Sequence, residues 1–540
     1  MFVDARELPN DTALEAEICI IGAGAVGISI ARELRDQPFK IVILESGGLE
    51  LDLANQMLYE GTNTGLPYTD LHTIRSRFFG GSTNCWGGWC RPLDPIDFEK
   101  RDWVPYSGWP FGRQDLEPFY DRANEVCNIG PNNFDLDYWS DMISRLKLDV
   151  IDMPAKRVVT QISQLSRQPR FGVAHRDDIE KASNVHTYLN ANVLEIGLSQ
   201  DAASVTRVRA STFAGNEFSV SAKLFVLASG GLENPRMLLV SDQVETAGLG
   251  NGNDLVGRFF MEHPRINSGQ VVLSDPGKTT NFYDVQYTYF HSPIAANLAL
   301  SETTQREEKT LNYKTWILTQ YKGETSKGGE ALKNLYRAYR KVVLPDHFID
   351  ASPAFWARNI CATLVDFPNT VSTVIGRLTK SSRMIEARQM AHLCEPAPDP
   401  ESRVTLGPEK DRLGLNRIHL DWRLSQLEKR TMRRGQEIIG EELEQSGRGR
   451  VNGDVFDDST NEWPPTLQWG WHHMGTTRMH VDPKQGVVDE NCRVHGKSNL
   501  FIGGSSVFPT GGSDLPTLTI VALALRLADH LKQQLLGPRS

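Results

Sequence analysis

The sequence has few cysteines and no excess of basic charge. Its seven cysteines are scattered through 540 residues and form no Cys-x-x-Cys pair, which is typical of reduced thiols and argues against a disulfide framework or a zinc site. The formal net charge of −9 argues against a binder of duplex nucleic acid, which needs a basic face to displace counterions from phosphates. We therefore expect no metal centre and no nucleic-acid partner.

Long uninterrupted apolar runs are also missing. The first residues, MFVDARELPNDTALEAEICII, are acidic where a secretion signal needs a basic flank, so we expect a cytoplasmic protein. Residues 354–378 are apolar but are interrupted by Arg358, Asp366 and Pro368, which argues against a membrane span. We predict a packed or lid helix there; a surface that docks a redox partner or touches a membrane is the alternative. Residues 307–345 have mixed charge and partial helical periodicity, which predicts helices over the substrate site.

The stretch AEICIIGAGAVGISIARELRDQPFKIVILESG, residues 16–47, predicts a strand, a glycine turn, a helix and a second strand that ends in an acid. Gly22 permits the tight turn, Gly24 lets the backbone approach a pyrophosphate, and Gly27 lets the helix and strand pack closely. Glu45 lies 23 positions after Gly22, where a carboxylate can accept hydrogen bonds from a ribose. We predict a dinucleotide site, although this motif alone does not distinguish NAD from FAD.

Three later stretches fit the same site. SRFFGGSTNCWGGWCRPLDPIDFEKRDW, residues 76–103, is a loop rich in glycine and tryptophan that is suited to lie along a flat ring system. AKLFVLASGGLENPRMLL, residues 222–239, predicts another buried strand of the dinucleotide sheet, a Gly-Gly turn and a helix. SNLFIGGSSVFPTGGSDLPTLTIVALALRLADHL, residues 498–531, predicts a strand, a polar loop and a helix that begins at Pro516 and could face a developing negative charge.

These stretches, with LVGRFFMEHPR at residues 255–265, resemble the glucose-methanol-choline (GMC) oxidoreductases, a family of FAD enzymes. The sequence is most similar to the branch that holds pyranose oxidase and the bacterial sugar and polyol dehydrogenases. The resemblance implies an α/β fold, α+β overall, in which discontinuous segments form a Rossmann-like FAD-binding domain and the intervening chain forms a substrate domain with an antiparallel sheet and helices. The implied FAD-binding segments are 1–101, 171–266 and 471–540, and the substrate domain is 267–470 with a contribution from 102–170.

The cofactor that the resemblance implies is FAD. We expect it to contact the glycine turn, the tryptophan-rich loop, the middle segment and the C-terminal loop. The expected cofactor-binding residues are Gly22, Gly24, Ala25, Val26, Gly27, Glu45, Gly81, Ser82, Thr83, Asn84, Cys85, Val193, Ser229, Gly230, Gly504, Ser505, Leu515, Pro516 and Thr517.

The C-terminal stretch WHHMGTTRM places two histidines before a Gly-Thr pair. Oxidation of an alcohol removes a hydride, which flavin N5 can take, and a proton, which a protein group must take. In the family pattern His-x-x-Gly-Thr the histidine faces the flavin, and here that residue is His472. We expect His472 to be the base or the alkoxide-stabilising group and His473 to be its structural neighbour. Simple packing of both is the alternative, and a metal pair is disfavoured because adjacent residues do not converge easily on one ion.

Two positions depart from the family pattern. Cys85 precedes Trp86 where members similar to pyranose oxidase carry the flavin on a histidine, so a histidyl link is excluded. A thioether to Cys85 stays open, but we favour an unlinked, buried thiol. Leu515 precedes Pro516 where Asn or His usually partners the catalytic histidine, which puts the usual second hydrogen-bonding group in doubt.

We therefore predict an FAD-dependent oxidoreductase that oxidises a hydroxyl of a sugar, glycoside or polyol to a carbonyl. Its partners would be that small molecule and an electron acceptor, either oxygen, a quinone or a redox protein. Two alternatives stay open. One is a flavin-containing lyase or decarboxylase, for which Leu515 leaves room; the other is the flavoprotein subunit of an electron-transfer complex, which residues 354–378 suggest.

Overall fold

A computed structural model describes residues 1–284, 287–289, 292–339, 352–456 and 462–537. Its strands, numbered in chain order, are β1 (Phe2–Asp4), β2 (Thr12–Ile21), β3 (Ile41–Leu44), β4 (Gly61–Asn63), β5 (Trp89–Cys90), β6 (Val158–Leu165), β7 (Val185–Leu189), β8 (Asn192–Leu198), β9 (Val205–Ser211), β10 (Glu217–Leu227), β11 (Pro264–Leu273), β12 (Tyr287–Tyr289), β13 (Ser292–Leu300), β14 (Tyr313–Tyr321), β15 (Ile385–Cys394), β16 (Arg403–Lys410), β17 (Asn416–Asp421), β18 (Gly449–Asn452), β19 (Gln468–Trp469) and β20 (Leu500–Ile502). The α-helices are α1 (Ala25–Leu34), α2 (Leu53–Gln56), α3 (Pro95–Phe98), α4 (Glu117–Val126), α5 (Ser140–Arg145), α6 (Phe171–Ala174), α7 (Arg176–Lys181), α8 (Glu233–Val240), α9 (Glu302–Glu308), α10 (Lys327–Tyr339), α11 (Pro353–Val365), α12 (Phe367–Thr379), α13 (Gln426–Gln445) and α14 (Thr517–Leu536).

The first sheet has the strand order β1-β7-β3-β2-β10-β9-β8, and β20 also pairs with β10. Its centre is parallel, whereas β9 pairs with its neighbours in the antiparallel direction. The last four residues of β2 and all of β3 are buried, as expected for strands that are covered on both faces. The predicted α/β fold is confirmed, because this parallel-dominated sheet stands beside a separate antiparallel one.

The glycine turn after β2 brings the sheet and α1 close together. Gly22 has a φ of +106°, a conformation that favours glycine. A Cβ on Gly27 would lie 2.0 Å from the carbonyl oxygen of Gly22, so a larger residue there would push the helix away from the strand. The N-terminus of α1 therefore points its free N–H groups toward the carboxyl ends of the parallel strands.

The second sheet is antiparallel, with the order β18-β11-β15-β14-β13-β6-β5 and with β12 and β19 added to β13 and β11. The third sheet has the order β16-β17-β4. β6 lies in the predicted 102–170 contribution and joins the antiparallel sheet, but β5, from the predicted first FAD segment, joins it as well. The domain boundaries themselves stay a prediction.

Two element predictions need correction. Residues 307–345 were expected to be helical, but they contain β14 as well as α10, and residues 340–345 lie outside the described part of the chain. The β14 segment YKTWILTQY is rich in aromatic and β-branched residues, which favour a strand. α14 begins at Thr517 rather than at Pro516, which is its N-cap.

Residues 354–378 form most of α11 and α12, which are separated only by Asp366. The prediction of helices is correct for this segment, and α12 packs on β14, where Gly376 lies against the side chain of Tyr321. Across the residues that the structure describes, no helix combines the length and the apolar character that crossing a bilayer requires.

Candidate active site

One cavity of about 850 Å³ joins the glycine turn to the histidine pair. All but two of the expected cofactor-binding residues line it; the exceptions are Gly27, which packs α1 on β2, and Asn84, whose amide donates a hydrogen bond to the carbonyl of Phe79. The cavity is also lined by His472 and His473. Residues that are far apart in sequence, including Gly22, Val193, Ser229, Gly504 and Leu515, thus share one wall.

The glycine end of the cavity has the shape that a dinucleotide needs. A Cβ on Gly81 would lie 3.0 Å from the Cα of Gly24, so the two glycine loops pack closely against each other where both line the cavity. Gly24 caps α1 without any side-chain hydrogen bond, which leaves the helix N-terminus available to phosphate. These glycines fit an elongated anionic group such as the pyrophosphate of FAD.

Glu45 lines this end of the cavity directly after β3. Its two carboxylate oxygens accept hydrogen bonds from the backbone N–H groups of Ala23 and Gly47, each at 2.9 Å. Burial raises the pKa of Glu45, and these two hydrogen bonds oppose that effect. Each oxygen has a second lone pair, so the expected contact with a ribose hydroxyl is compatible with this geometry but stays a prediction.

Cys85 follows a short 3₁₀ turn, Gly81–Asn84, in the tryptophan-rich loop. Its sulfur lies 2.7 Å from the hydroxyl oxygen of Ser76, and burial raises the pKa of the thiol. A thioether to flavin requires the thiolate, and a raised pKa disfavours that form. The geometry thus supports the interpretation of Cys85 as an unlinked thiol.

The two adjacent histidines make different contacts. The Nδ1 atom of His472 lies 2.9 Å from the Nδ1 atom of His263. His263 directly precedes β11, which begins at Pro264. The Nε2 atom of His473 lies 3.0 Å from the hydroxyl of Tyr68. Burial lowers the pKa of His473 to about 3 and that of His472 well below its usual value. Both rings are therefore neutral at physiological pH.

The hydrogen bonds of His263 fix the tautomer of His472. The Nε2 atom of His263 lies 2.8 Å from the carbonyl oxygen of Gly512, which can only accept, so Nε2 carries the proton. Burial lowers the pKa of His263 to about 4, so its Nδ1 is an unprotonated acceptor. The Nδ1–H of His472 must then be the donor between the two rings. This leaves the Nε2 of His472 unprotonated and able to take a proton.

Glu262 fixes the backbone that carries the histidines. Its fully buried carboxylate accepts hydrogen bonds from the backbone N–H of Gly470 at 3.1 Å and of His472 at 3.0 Å, and from the hydroxyl of Tyr68 at 2.5 Å. Burial raises the pKa of Glu262 to about 7. Ligand atoms of Glu262, His263 and His472 lie within 4.8 Å of one another, but these hydrogen bonds already use them, so the cluster suits proton placement better than metal binding.

Leu515 lines the cavity next to a buried ion network. The carboxylate of Asp514 accepts hydrogen bonds from the guanidinium of Arg91, at 2.6 Å, and from the ammonium of Lys314 on β14. These cations hold the pKa of Asp514 below its usual value. Asp514 is therefore committed to its ion pairs and does not replace the missing Asn or His as a partner of His472.

The wall around the histidines is aromatic and cationic. Five tryptophans line the cavity, and Arg265, Arg337 and Gln468 add polar groups; the tryptophans are Trp86, Trp89, Trp316, Trp469 and Trp471. Trp471, the residue before His472 in the chain, has a φ of +60°, which is uncommon for a large side chain. Indoles and guanidinium groups together suit a ligand that has both apolar faces and hydroxyl groups.

Several residues of the site were not identified from the sequence. Glu262 and His263 lie in the quoted stretch LVGRFFMEHPR, but nothing local connects them to His472, 209 residues away. Tyr68 belongs to no motif. Arg75 and Arg77 also line the cavity, and both form ion pairs with the buried carboxylate of Glu233. In the sequence, their position just before the glycine-rich loop was the only sign that they belong to the site.

Comparison with known proteins identifies relatives of one family. Residues 398–524 match the family model described as GMC oxidoreductase. The 2-methyl-1,2-propanediol dehydrogenase of Mycolicibacterium austroafricanum is 22% identical over 97% of this chain and 96% of that protein. The C-glycoside 3-oxidase of Arthrobacter globiformis is 23% identical over 78% of this chain and 69% of that protein. The solved pyridoxine 4-oxidase of Mesorbium loti is 15% identical, with a TM-score of 0.56, over 97% of this chain and all of that chain.

The matched C-terminal segment contains His472, His473 and Leu515. The relatives differ in the substrates that their names state, and they do not single out the branch of pyranose oxidase. All three names are those of dehydrogenases or oxidases. The C-terminal segment 398–524 is thus that of a GMC oxidoreductase, and the protein is an FAD-binding oxidoreductase of the GMC type that acts on CH–OH groups.

Proposed function

We propose that the protein oxidises a hydroxyl group of a sugar, glycoside or polyol, with His472 as the base. FAD, when bound, supplies the acceptor for the hydride. The unprotonated Nε2 of His472 takes the hydroxyl proton, and the hydrogen bond from its Nδ1–H to His263 favours the imidazolium that results. Glu262 holds the backbone of His472 in place, and Tyr68 holds His473.

The observation that carries the substrate class is the cavity wall. Trp316, Trp469 and Trp471 offer flat apolar faces against which the C–H side of a sugar ring can pack. Arg265 and Gln468 offer hydrogen-bond donors for its hydroxyl groups. The names of two relatives, a propanediol dehydrogenase and a C-glycoside oxidase, support polyols and glycosides as candidates. The electron acceptor, oxygen, a quinone or a redox protein, and the cytoplasmic location remain expectations from the sequence.

The experiment is flavin reduction without oxygen. A panel of sugars, glycosides and polyols is mixed with the holoenzyme under argon, and bleaching of the flavin absorbance identifies the substrates. We expect His472→Ala to slow bleaching by about 10²–10⁴-fold while retaining FAD, and His473→Ala to slow it less. Equal losses in the two variants would contradict the assignment of the base. Product formation without any bleaching would favour lyase chemistry instead.

A further inference from the structure

The helices α11 and α12 each present apolar side chains to solvent. Ile360, Leu364, Phe367, Val374, Ile375 and Leu378, here called the apolar face, are between 37% and 79% exposed. Ile360 and Leu364 are four residues apart on α11, and Phe367, Val374 and Leu378 are seven and four residues apart on α12, so each set lies on one side of its own helix. Monomeric soluble proteins rarely expose so many large apolar side chains together without a binding function.

The opposite side of the two helices is firmly packed. Thr373 and Gly376 are buried, and a Cβ on Gly376 would lie 2.6 Å from the Cβ of Tyr321 on β14. The guanidinium of Arg377 binds the buried carboxylate of Glu324. The carboxylate of Asp366 accepts a hydrogen bond of 2.9 Å from the N–H of Gly328 on α10. The apolar face is therefore the outer side of an anchored element.

The charge around the apolar face differs from the charge of the chain. The described residues 322–339 and 352–388 contain nine lysines and arginines and four aspartates and glutamates, a net charge of +5 in a protein whose net charge is −9. Exposed cations lie at the start of α10, on α11 and after α12, namely Lys327, Arg358 and Arg383. The apolar face thus lies in a basic region of an otherwise acidic protein.

We propose that the apolar face docks onto an anionic phospholipid surface. An interfacial helix needs an apolar side that enters the acyl boundary and cations that meet the headgroups, and both are present. Basic residues near such a surface are attracted to its anionic headgroups. A second copy of the chain fits less well, because it would bring two basic regions together.

Docking would also orient the cavity. Arg337 on α10 lines the cavity and is itself exposed. The hydrogen bond between Gly328 of α10 and Asp366, which lies between α11 and α12, connects the helix that carries Arg337 to the helices that carry the apolar face. The proposal does not depend on which alcohol the enzyme oxidises.

The test is co-sedimentation of the holoenzyme with vesicles. We expect binding to vesicles of phosphatidylcholine with phosphatidylglycerol, much weaker binding to phosphatidylcholine alone, and loss of binding at high salt. The variant Leu364→Glu/Leu378→Glu should bind the anionic vesicles at least about tenfold more weakly, since two carboxylates enter the apolar side. Val173→Glu and Val481→Glu, exposed by 74% and 60% outside the apolar face, are the matched controls and should bind like the wild type.

A second variant separates docking from a folding defect. Arg358→Glu/Arg383→Glu leaves the apolar face intact and should weaken binding to the anionic vesicles, with flavin content and flavin reduction in solution unchanged. Equal binding of all variants, or equal binding to neutral and anionic vesicles, would overturn the proposal. The proposal would also be overturned if the wild type did not bind vesicles but formed a dimer, and if Leu364→Glu/Leu378→Glu were a monomer. The apolar face would then be the interface between two copies of the chain.

Discussion

The Nδ1 atoms of His263 and His472 lie 2.9 Å apart, and the carbonyl oxygen of Gly512 lies 2.8 Å from the other nitrogen of His263. This chain of hydrogen bonds has one direction, because a carbonyl accepts and does not donate. His263 is therefore a positioning residue that keeps the proton of His472 on Nδ1 and its lone pair on Nε2.

The first prediction concerns His263. His263→Leu removes the acceptor and lets His472 adopt the other tautomer, so flavin reduction should slow by about 10²-fold with FAD retained. His263→Gln can place an amide oxygen near the same position and should recover part of the rate. Both variants are measured by anaerobic stopped-flow bleaching with saturating substrate. If Leu and Gln slowed the reaction equally, a purely structural role would explain the result better.

The second prediction is the pH profile. Burial, and the neighbouring His263 and His473, lower the pKa of His472 well below 6.5. His472 must be neutral to act as the base, so the rate of flavin reduction should stay constant as the pH falls through 6.5. The rate should decline only at a lower pH, where His472 becomes protonated. Glu262, whose pKa is about 7, also titrates in this pH range and could affect the profile. The profile is therefore measured in Glu262→Gln as well, which has no carboxyl group at this position. An acid limb near pH 6.5 that survives in Glu262→Gln would contradict the lowered pKa of His472.

The sequence predicted the parts of the site that are local. Gly22, Gly24 and Glu45 sit in one strand-turn-helix-strand unit, whose spacing alone indicates the chemistry. His472 and His473 were found through a short motif. The partners His263 and Tyr68 come from other parts of the chain, and no local pattern encodes a contact between a C-terminal loop and the start of β11.

The missed strand β14 has a similar cause. Lys314 is fully buried in this strand, and a lysine at such a position contradicts the usual pattern of a central strand. It is tolerated because its ammonium binds Asp514, 200 residues later in the chain. The sequence gives no sign of that pairing, so the segment was assigned by its partial helical periodicity.

The third prediction tests the cofactor site. Gly24→Val should abolish FAD binding, because a branched side chain on Gly24 would enter the cavity that this residue lines, where its backbone would approach the pyrophosphate. The protein itself should still fold, since a Cβ there has no neighbour closer than 4.0 Å. Gly252→Val, at a position with no atom within 4 Å, is the matched control and should be yellow. Flavin absorbance per chain and the thermal midpoint of unfolding give the two readouts. A yellow Gly24→Val protein would refute the placement.

The fourth prediction concerns Leu515, which lines the cavity beside the fixed Asp514. If Leu515 forms an apolar pocket for a partly apolar substrate, Leu515→Asn buries an amide without partners, and binding of a glycoside with an apolar aglycone should weaken by about 1–3 kcal/mol. Leu515→Met keeps the volume and apolar character and should bind almost normally. Free sugars, which lack the aglycone, should be affected much less, so the ratio of the two KM values reports on the pocket. The pocket hypothesis is wrong if Leu515→Asn binds the aryl glycoside with unchanged affinity and oxidises free glucose faster. In that case the wild-type leucine only lacks a donor that could stabilise the alkoxide.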